Sequence, residues 1–243
     1  MDFHADSVQG VLFLLPGHAQ DDALKLWNHL FPGDSPDGFQ RATVSPMLSS
    51  SASGVRDGFQ TNINAQVGRV DIVLTQPPIG ISPQSGPPRI EDIPTAVQRS
   101  SSLLKLLASH YKVIRLAIVL ELAKTVNQGD ENKEMLDSLP GFPFPTNSTD
   151  VALQFNSRKQ FECDADLAMN RLCAWNSGQV GFMTAQPAQG HNVMIMTPYL
   201  GKKIDVNTAP EFSLSSTNLE SVIDELAAES LRIHAEGIER FKS

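Results

Sequence analysis

One stretch, KVIRLAIVLELA at residues 112–123, is the longest run of strand-forming residues in the chain and limits what the chain can fold into. Side chains along a strand point alternately to its two faces. One face carries only large aliphatic residues: Ile114, Leu116, Ile118, Leu120 and Leu122. The other face mixes small residues with two charges: Val113, Arg115, Ala117, Val119, Glu121 and Ala123. We expect a central strand whose first face lies in a core and whose second face has a thin cover or lines a groove.

The chain has 243 residues, of which 41% are hydrophobic, so it can bury a large core. We expect two halves, 1–127 and 128–243, that share one core. There is no run of about 18 uncharged apolar residues that could span a membrane. Residues 1–15 lack the features of a signal peptide. Cys163 and Cys173 have neither disulfide-framework nor zinc-site spacing. These features predict a cytoplasmic protein without a membrane partner.

The net charge of -8 is concentrated in the second half of the chain. Residues 1–127 carry 11 acids and 10 bases, whereas residues 128–243 carry 16 acids and 9 bases. This acidity disfavours nucleic acid as a partner, because the phosphate backbone attracts positive charge. Basic residues outnumber acids only along one set: Arg89, Arg99, Lys105, Lys112, Arg115 and Lys124. The simpler interpretation of this set is solvated helix and strand ends.

The order of segments in the first half predicts a ferredoxin-like βαββαβ arrangement. A strand at 11–15 precedes a helix that begins at Asp21 or Asp22 and ends near Phe31. An extended segment at 41–44 is followed by a serine-rich stretch, 49–54, that we expect to be a loop. A second helix is expected from Asp92 to Tyr111, and it leads directly into the central strand.

A hairpin is predicted at residues 61–75, because the alternation of apolar residues changes parity at Gly68. A turn at Val67 and Gly68 places Gln66 opposite Arg69 and Asn64 opposite Asp71. It also puts five apolar residues on one face: Ile63, Ala65, Val70, Ile72 and Leu74. The alternative is one long strand with a bulge at Gly68.

The second half is expected to form an antiparallel meander closed by a long helix, which makes the whole chain α+β. A short helix should begin at Asp130 and end near Leu139. Five strand-like segments follow, with a turn at 176–178 between the second and third: 151–155, 168–175, 180–185, 193–197 and 203–206. The last helix is predicted from Thr217 to Phe241, with Thr217 and Glu220 as a capping box.

The last helix has an apolar stripe interrupted by two small residues, Ser230 and Gly237. Small residues there predict close approach to a sheet or another helix, and His234 lies at the edge of the stripe. Its acidic residues fall on the opposite side, which we expect to be solvated: Asp224, Glu225, Glu229, Glu236 and Glu239.

Nucleotide-binding, metalloprotease and hydrolase motifs are missing from the sequence, which disfavours those enzyme classes. We expect no cofactor and no bound metal. The weak candidate for a metal site is the alternating set Glu162, Asp164 and Asp166, which lacks the glycine and the distal glutamate of a calcium loop.

Arg115 and Glu121 stand out because they share the second face of the central strand. Six strand residues span about 20 Å, so the two side chains cannot pair with each other. Each therefore needs its own partner or a wet groove. The candidate residues for binding a ligand or partner are Arg115, Glu121, His234, Ser230 and Gly237.

Four segments resemble an uncharacterised, sporadically distributed family of bacterial proteins of about this length: HYKVIRLAIVLEL (110–122), MNRLCAW (169–175), DVNT (205–208) and LAAESLRIHAEGIERF (226–241). The resemblance implies a cytosolic accessory protein connected with mobile or defence loci, and it transfers no catalytic residue. We therefore favour a non-catalytic interaction subunit of a multiprotein assembly, with a protein partner or self-association. The alternatives are a binder of a small apolar ligand between the meander and the last helix, and an enzyme of unfamiliar type.

Overall fold

The structure is a computed structural model that describes residues 3–15, 21–42, 49–77, 88–139, 142, 151–186, 191–210 and 219–241. Its strands are β1 (His4–Leu14), β2 (Gly38–Ala42), β3 (Ser49–Arg56), β4 (Phe59–Gln66), β5 (Arg69–Thr75), β6 (Val113–Thr125), β7 (Ala152–Gln160), β8 (Ala168–Gln186) and β9 (His191–Thr208). Its helices are α1 (Ala23–Leu30), α2 (Ile93–Ala108), α3 (Glu131–Ser138) and α4 (Leu219–Glu236), followed by a 3₁₀ helix at Gly237–Phe241.

The architecture is mixed α and β, with a nine-stranded antiparallel sheet and a C-terminal helix. The strand order is β2-β3-β4-β5-β1-β6-β9-β8-β7, and every neighbouring pair is antiparallel. The predicted central strand corresponds to β6, which pairs with β1 on one side and β9 on the other. In the part of the chain that is described, no helix is long and apolar enough to cross a membrane.

The predicted hairpin is confirmed as β4 and β5. Gln66 pairs with Arg69 and Asn64 pairs with Asp71, as the change of parity indicated. Gly68 has a φ of 75°, a left-handed conformation that glycine adopts without steric cost. The alternative of one bulged strand is therefore wrong.

One face of the sheet is covered by the four helices. A single buried cluster joins side chains of all four helices to one face of the strands, and it includes residues of both halves of the chain. Leu116, Ile118, Leu120 and Leu122 of β6 belong to this cluster, as predicted. Ile114 does not, because it lies near the start of the strand beside a register shift and is 39% exposed.

The predicted helix starts are confirmed for α1 and α2. The carboxylate of Asp22 accepts a hydrogen bond from the backbone N–H of Lys25, and Asp92 does the same for Thr95. Helix α2 packs very closely on β1 at Gly10, where an added Cβ would lie 2.6 Å from Leu104 Cγ. The serine-rich stretch is not a loop but strand β3, because its alternate residues Ala52 and Gly54 face the core.

The turn predicted at residues 176–178 is also wrong, because β8 and β9 run through the positions expected to separate the segments. Asn176 pairs with Gly201, and Gly178 pairs with Tyr199. A Cβ on Gly178 would lie 3.1 Å from the ring of Tyr199. The glycine that suggested a turn instead makes room for a ring within a continuous strand.

Helix α4 ends earlier than predicted. Gly237 has a φ of 62°, so the α-helix stops at Glu236 and a short 3₁₀ helix follows. Thr217, half of the predicted capping box, lies outside the described residues.

Candidate functional site

Helices cover only one face of the sheet in the described part of the chain, and the second face, here called the open face, carries a row of large side chains. At its centre Phe13 of β1 is the cross-strand neighbour of Arg69 on β5 and of Arg115 on β6. The two guanidinium carbons lie 5.3 and 5.2 Å from the centre of the Phe13 ring. This distance is typical of a cation–π contact, so the ring has a cation on each side.

The row continues across three more strands through hydrogen bonds. Arg115 Nη2 donates to Asn207 Oδ1 at 2.8 Å, and Asn170 Nδ2 donates to the same oxygen at 3.2 Å. Arg158 Nε donates to Asn170 Oδ1 at 3.1 Å. Side chains of β5, β1, β6, β9, β8 and β7 are thereby connected, which gives the open face a fixed polar pattern.

Arg115 has no acidic partner among the described residues. No carboxylate oxygen of the described residues lies within 4.0 Å of its guanidinium group, and its buried Nε has no hydrogen-bond partner among them. By contrast, Arg69 pairs with Asp71 at 2.7 Å. Arg115 is half-buried, so part of the hydration of its charge is lost without an ion pair to offset that loss.

A small apolar patch lies beside the row. Val11, Ala117 and Val119 form a second buried cluster with Phe13 packed against it. Each of the three is less than 7% exposed, although the cluster contains no helical residue of the described chain. Among the described residues, Phe13 is the partly buried side chain packed against them. The second face of β6 is therefore covered at Ala117 and Val119.

Glu121 lies further along the open face, beside a cavity of about 400 Å³. We call this the ribbon cavity. The last residues at which β6 and β9 pair are Thr125 and Tyr199, and one wall of the cavity is the part of the β8–β9 hairpin that extends beyond them. Its polar lining includes Asp6, Arg89, Glu121, Asn176, Gln179 and Tyr199. Glu121 forms an ion pair with Lys203 at 2.8 Å, which is the kind of partner that we expected a charged residue on this face of β6 to need. Arg115 and Glu121 thus belong to separate sites on one face.

The other three candidate residues lie at the C-terminal end of the chain, away from the open face. Ser230 is fully buried, and its hydroxyl donates to the Leu226 carbonyl at 2.8 Å within α4. Gly237 does not allow a close approach to any of the described residues, because none of their atoms lies within 4 Å of an added Cβ. His234 is half-buried, and its carbonyl oxygen receives the ammonium of Lys202 at 3.4 Å. Among the described residues, none of these three lines the ribbon cavity.

A buried ionic cluster at α4 was missed from the sequence. Glu229, expected on the solvated side, is completely buried, and its carboxylate receives hydrogen bonds from Arg171 at 3.1 Å and from Arg240 at 2.8 Å. Arg232 and Lys159 lie 3.5 and 3.9 Å away. Burial alone would raise the pKa of Glu229, but the hydrogen bonds from the two arginines outweigh it and bring the pKa to about 2.

The acidic set at 162–166 is explained by the local turn. Glu162 pairs with Lys159 at 3.1 Å, and Asp164 accepts a hydrogen bond from the backbone N–H of Asp166. The backbone N–H groups of Glu162 and Cys163 donate to the carboxylate of Glu225. Among the described residues, no group of three or more histidine, cysteine or carboxylate side chains is arranged to hold a metal ion.

Four of the six residues in the basic set of the first half form ion pairs with carboxylates. Arg89 pairs with Asp6 at 2.8 Å, Lys105 pairs with Asp224 at 2.6 Å, Arg99 pairs with Asp57, and Lys124 pairs with Glu134. These pairs neutralise four of the six cations. They support the interpretation of solvated helix and strand ends rather than a surface for nucleic acid.

Comparison with models of protein families, with curated proteins and with solved structures found no match.

Proposed function

We propose that this protein is a non-catalytic interaction subunit of a bacterial multiprotein assembly, and that its partner protein docks on the open face around Phe13 and Arg115. The observation that carries the proposal is the half-buried guanidinium of Arg115, which has no carboxylate neighbour in the described residues. A partner that places an aspartate or glutamate against it would complete the ion pair. The bacterial assembly rests on the resemblance of the four sequence segments given above.

The composition of the open face supports a docking role. Arginine and aromatic residues are enriched at the energetic centres of protein interfaces, and such centres are surrounded by contacts that exclude water. Here Phe13 lies between two arginines and beside the apolar patch of Val11, Ala117 and Val119. The asparagines of the row supply donors and acceptors at its polar border.

The alternative of an apolar ligand between the sheet and α4 has less support. Val222, Ile223, Leu226 and Ile233 of α4 are all fully buried within the main core cluster. Ser230, which was expected to face the ligand, bonds within its own helix.

The strand order and the thiols support two further proposals. We propose that the first half is a ferredoxin-like βαββαβ unit with β2 and β3 added at its edge, based on the order β4-β5-β1-β6 and the positions of α1 and α2 in sequence.

We also propose a cytoplasmic location. Cys163 and Cys173 are both free thiols, which suits a reducing compartment.

The experiment that tests the docking proposal is site-specific photo-crosslinking in the host cell. An aromatic photo-crosslinking amino acid replaces Phe13 on the open face, and in a control it replaces Leu106, an exposed residue of α2 on the helical side. We expect one crosslinked protein of defined mass at position 13 and not at position 106. A product of twice the chain mass would identify a second copy and would contradict a separate partner.

The role of Arg115 is tested in the same crosslinking background with Arg115→Gln. Glutamine can still bond to Asn207, so we expect Tm to fall by only about 2–4 °C, which corresponds to a loss of about 1 kcal/mol. The matched control is Arg41→Gln, because Arg41 is an exposed arginine on edge strand β2. Loss of the crosslink in Arg115→Gln alone supports the proposal. A crosslink of wild-type intensity in a folded Arg115→Gln variant contradicts it.

A further inference from the structure

The ribbon cavity on the open face has the volume and walls of a site for a small molecule. Its volume of about 400 Å³ falls within the range of about 300–1,000 Å³ typical of ligand pockets. Four strands and the segment before α2 contribute to its lining, with Asp6 from β1, Glu121 from β6, Asn176 from β8, Tyr199 from β9 and Arg89 from the segment. The cavity therefore belongs to the framework of the sheet.

The floor of the cavity is the ring of Tyr199, which lies over the backbone of two glycines. Tyr199 lies between Gly178 and Gly201, and a Cβ added to either glycine would be 3.0–3.1 Å from the nearest ring carbon. A Cβ on Gly201 would also lie 2.6 Å from the side-chain oxygen of Asn176. Because glycine has no side chain, the ring of Tyr199 can lie close to the backbone, and the space above the ring stays open. One face of such a ring is a platform for a flat apolar surface.

The charged side chains of the lining already have partners. Lys202 is buried and its ammonium donates to the carbonyl oxygens of Ile233 and His234, whereas the other charged residues form ion pairs. Arg89 Nε lies 2.8 Å from Asp6 Oδ1, and Arg89 Nη1 donates to Thr125 Oγ1 at 2.9 Å. Glu121 Oε1 lies 2.8 Å from Lys203 Nζ. A charged ligand would have to compete with one of these ion pairs. A neutral ligand can bond to their remaining donors and acceptors without breaking them.

We propose that the ribbon cavity binds a neutral sugar unit. Sugar hydroxyls both donate and accept hydrogen bonds, which matches the mixture of carboxylate, guanidinium and amide groups in the lining. The C–H face of a sugar ring can lie against Tyr199, and the amides of Asn176 and Gln179 reach its hydroxyls from the hairpin. This site is separate from the docking surface around Arg115 and does not depend on a protein partner.

The test is saturation-transfer NMR of the purified chain with glucose, galactose, mannose, ribose and N-acetylglucosamine as probes. Glucuronate and glucosamine serve as charged counterparts of the same shape. We expect at least one neutral sugar to bind, and both glucuronate and glucosamine to bind about tenfold more weakly than that sugar, because a charged group in the cavity would have to compete with the existing contacts of the lining. A stronger signal from the charged counterparts would overturn the assignment of a neutral ligand.

Two variants locate the binding. Asn176→Ala removes one polar group of the cavity, and Asn156→Ala removes the same group from the neighbouring edge strand β7. We expect affinity to fall about fivefold to tenfold in Asn176→Ala, in keeping with the loss of one hydrogen bond, and to stay within twofold in Asn156→Ala. No binding of any neutral sugar, or equal binding by both variants, would overturn the proposal. Either failure leaves the docking function around Arg115 untouched.

Discussion

Replacing Glu229 by glutamine should destabilise the protein more than any surface carboxylate replacement. The glutamine keeps the shape of the side chain but leaves Arg171, which is 4% exposed, without its counter-charge. Breaking a buried ion pair by removing one partner typically costs about 3–5 kcal/mol, because the remaining charge stays buried. Arg240 can turn towards solvent, whereas Arg171 is held between β8 and α4, so we expect about 3 kcal/mol.

The pH dependence gives an independent measure of the same interaction. The pKa of Glu229 is about 2 in the folded protein, against an ordinary value of 4.5. A pKa lowered by folding stabilises the protein above the ordinary pKa, and this contribution is lost as the pH falls towards the folded pKa. A difference of this size corresponds to about 3 kcal/mol. About 2 kcal/mol of it should disappear between pH 5 and pH 3.

The assay is urea unfolding followed by fluorescence of the buried Trp27 and Trp175, at pH 7, 5 and 3. The difference in unfolding free energy between wild type and Glu229→Gln should be about 3 kcal/mol at pH 7 and should narrow by about 2 kcal/mol at pH 3. The matched control is Glu236→Gln on the exposed side of α4, which should cost less than about 0.5 kcal/mol. A loss below about 1 kcal/mol for Glu229→Gln at pH 7, or a difference that does not change with pH, would refute the reasoning.

Three other outcomes are expected from the packing of the core. Gly10→Ala should cost about 1–3 kcal/mol in the same unfolding assay, because the methyl group would displace α2 from β1; a neutral effect would contradict that close packing. Cys163, whose pKa burial raises to about 11, should be alkylated at pH 8 roughly a hundredfold more slowly than free cysteine, and Cys173, whose pKa is about 12, should react only on unfolding. Single-tryptophan variants that keep Trp27 or Trp175 should each unfold at the same urea midpoint by fluorescence and by circular dichroism, since one core cluster contains both rings; separate midpoints would indicate that the halves unfold independently.

The hairpin of β4 and β5 could be predicted from the sequence because a one-residue shift in register reverses every side chain. Ile63 and Ala65 before Gly68, and Val70 and Ile72 after it, reach the same face in only one pairing. The starts of α1 and α2 could be predicted for the same reason, because an N-cap residue such as Asp92 accepts a hydrogen bond from a backbone N–H within the next three residues. In these cases the determining contacts are close in sequence.

The long strands β8 and β9 could not be predicted in this way. Glycine at 178 is a turn signal when its neighbours in sequence are considered alone. Its actual role depends on Tyr199, its partner on the next strand, which needs the space that a side chain would fill. The serines of β3 present the same difficulty, because Ala52 and Gly54 are placed against the core by pairing with β4.

The buried glutamate was missed because helical periodicity placed Glu229 among the acids of α4. A signal for it was present in β8, where Arg171 shares the core-facing parity of Met169, Cys173 and Trp175. A lone arginine on the buried face of a strand requires a buried carboxylate, although the sequence does not show which one. Arg115 was identified by the same parity argument, applied to the second face of β6.

Arg171 and Arg115 differ in how their charges are compensated on the two faces of the sheet. On the helical face the chain supplies Glu229 to Arg171, so the charge is satisfied within the fold. On the open face Arg115 is half-buried against Phe13, and its hydrogen-bond partner among the described residues is the neutral amide of Asn207, whose Nδ2 donates in turn to Asp205. A buried or half-buried charge without a counter-charge contributes less to stability than the same charge in an ion pair. A carboxylate from a partner protein would compensate for Arg115 as Glu229 does for Arg171, and this is the physical basis for placing the docking surface on the open face.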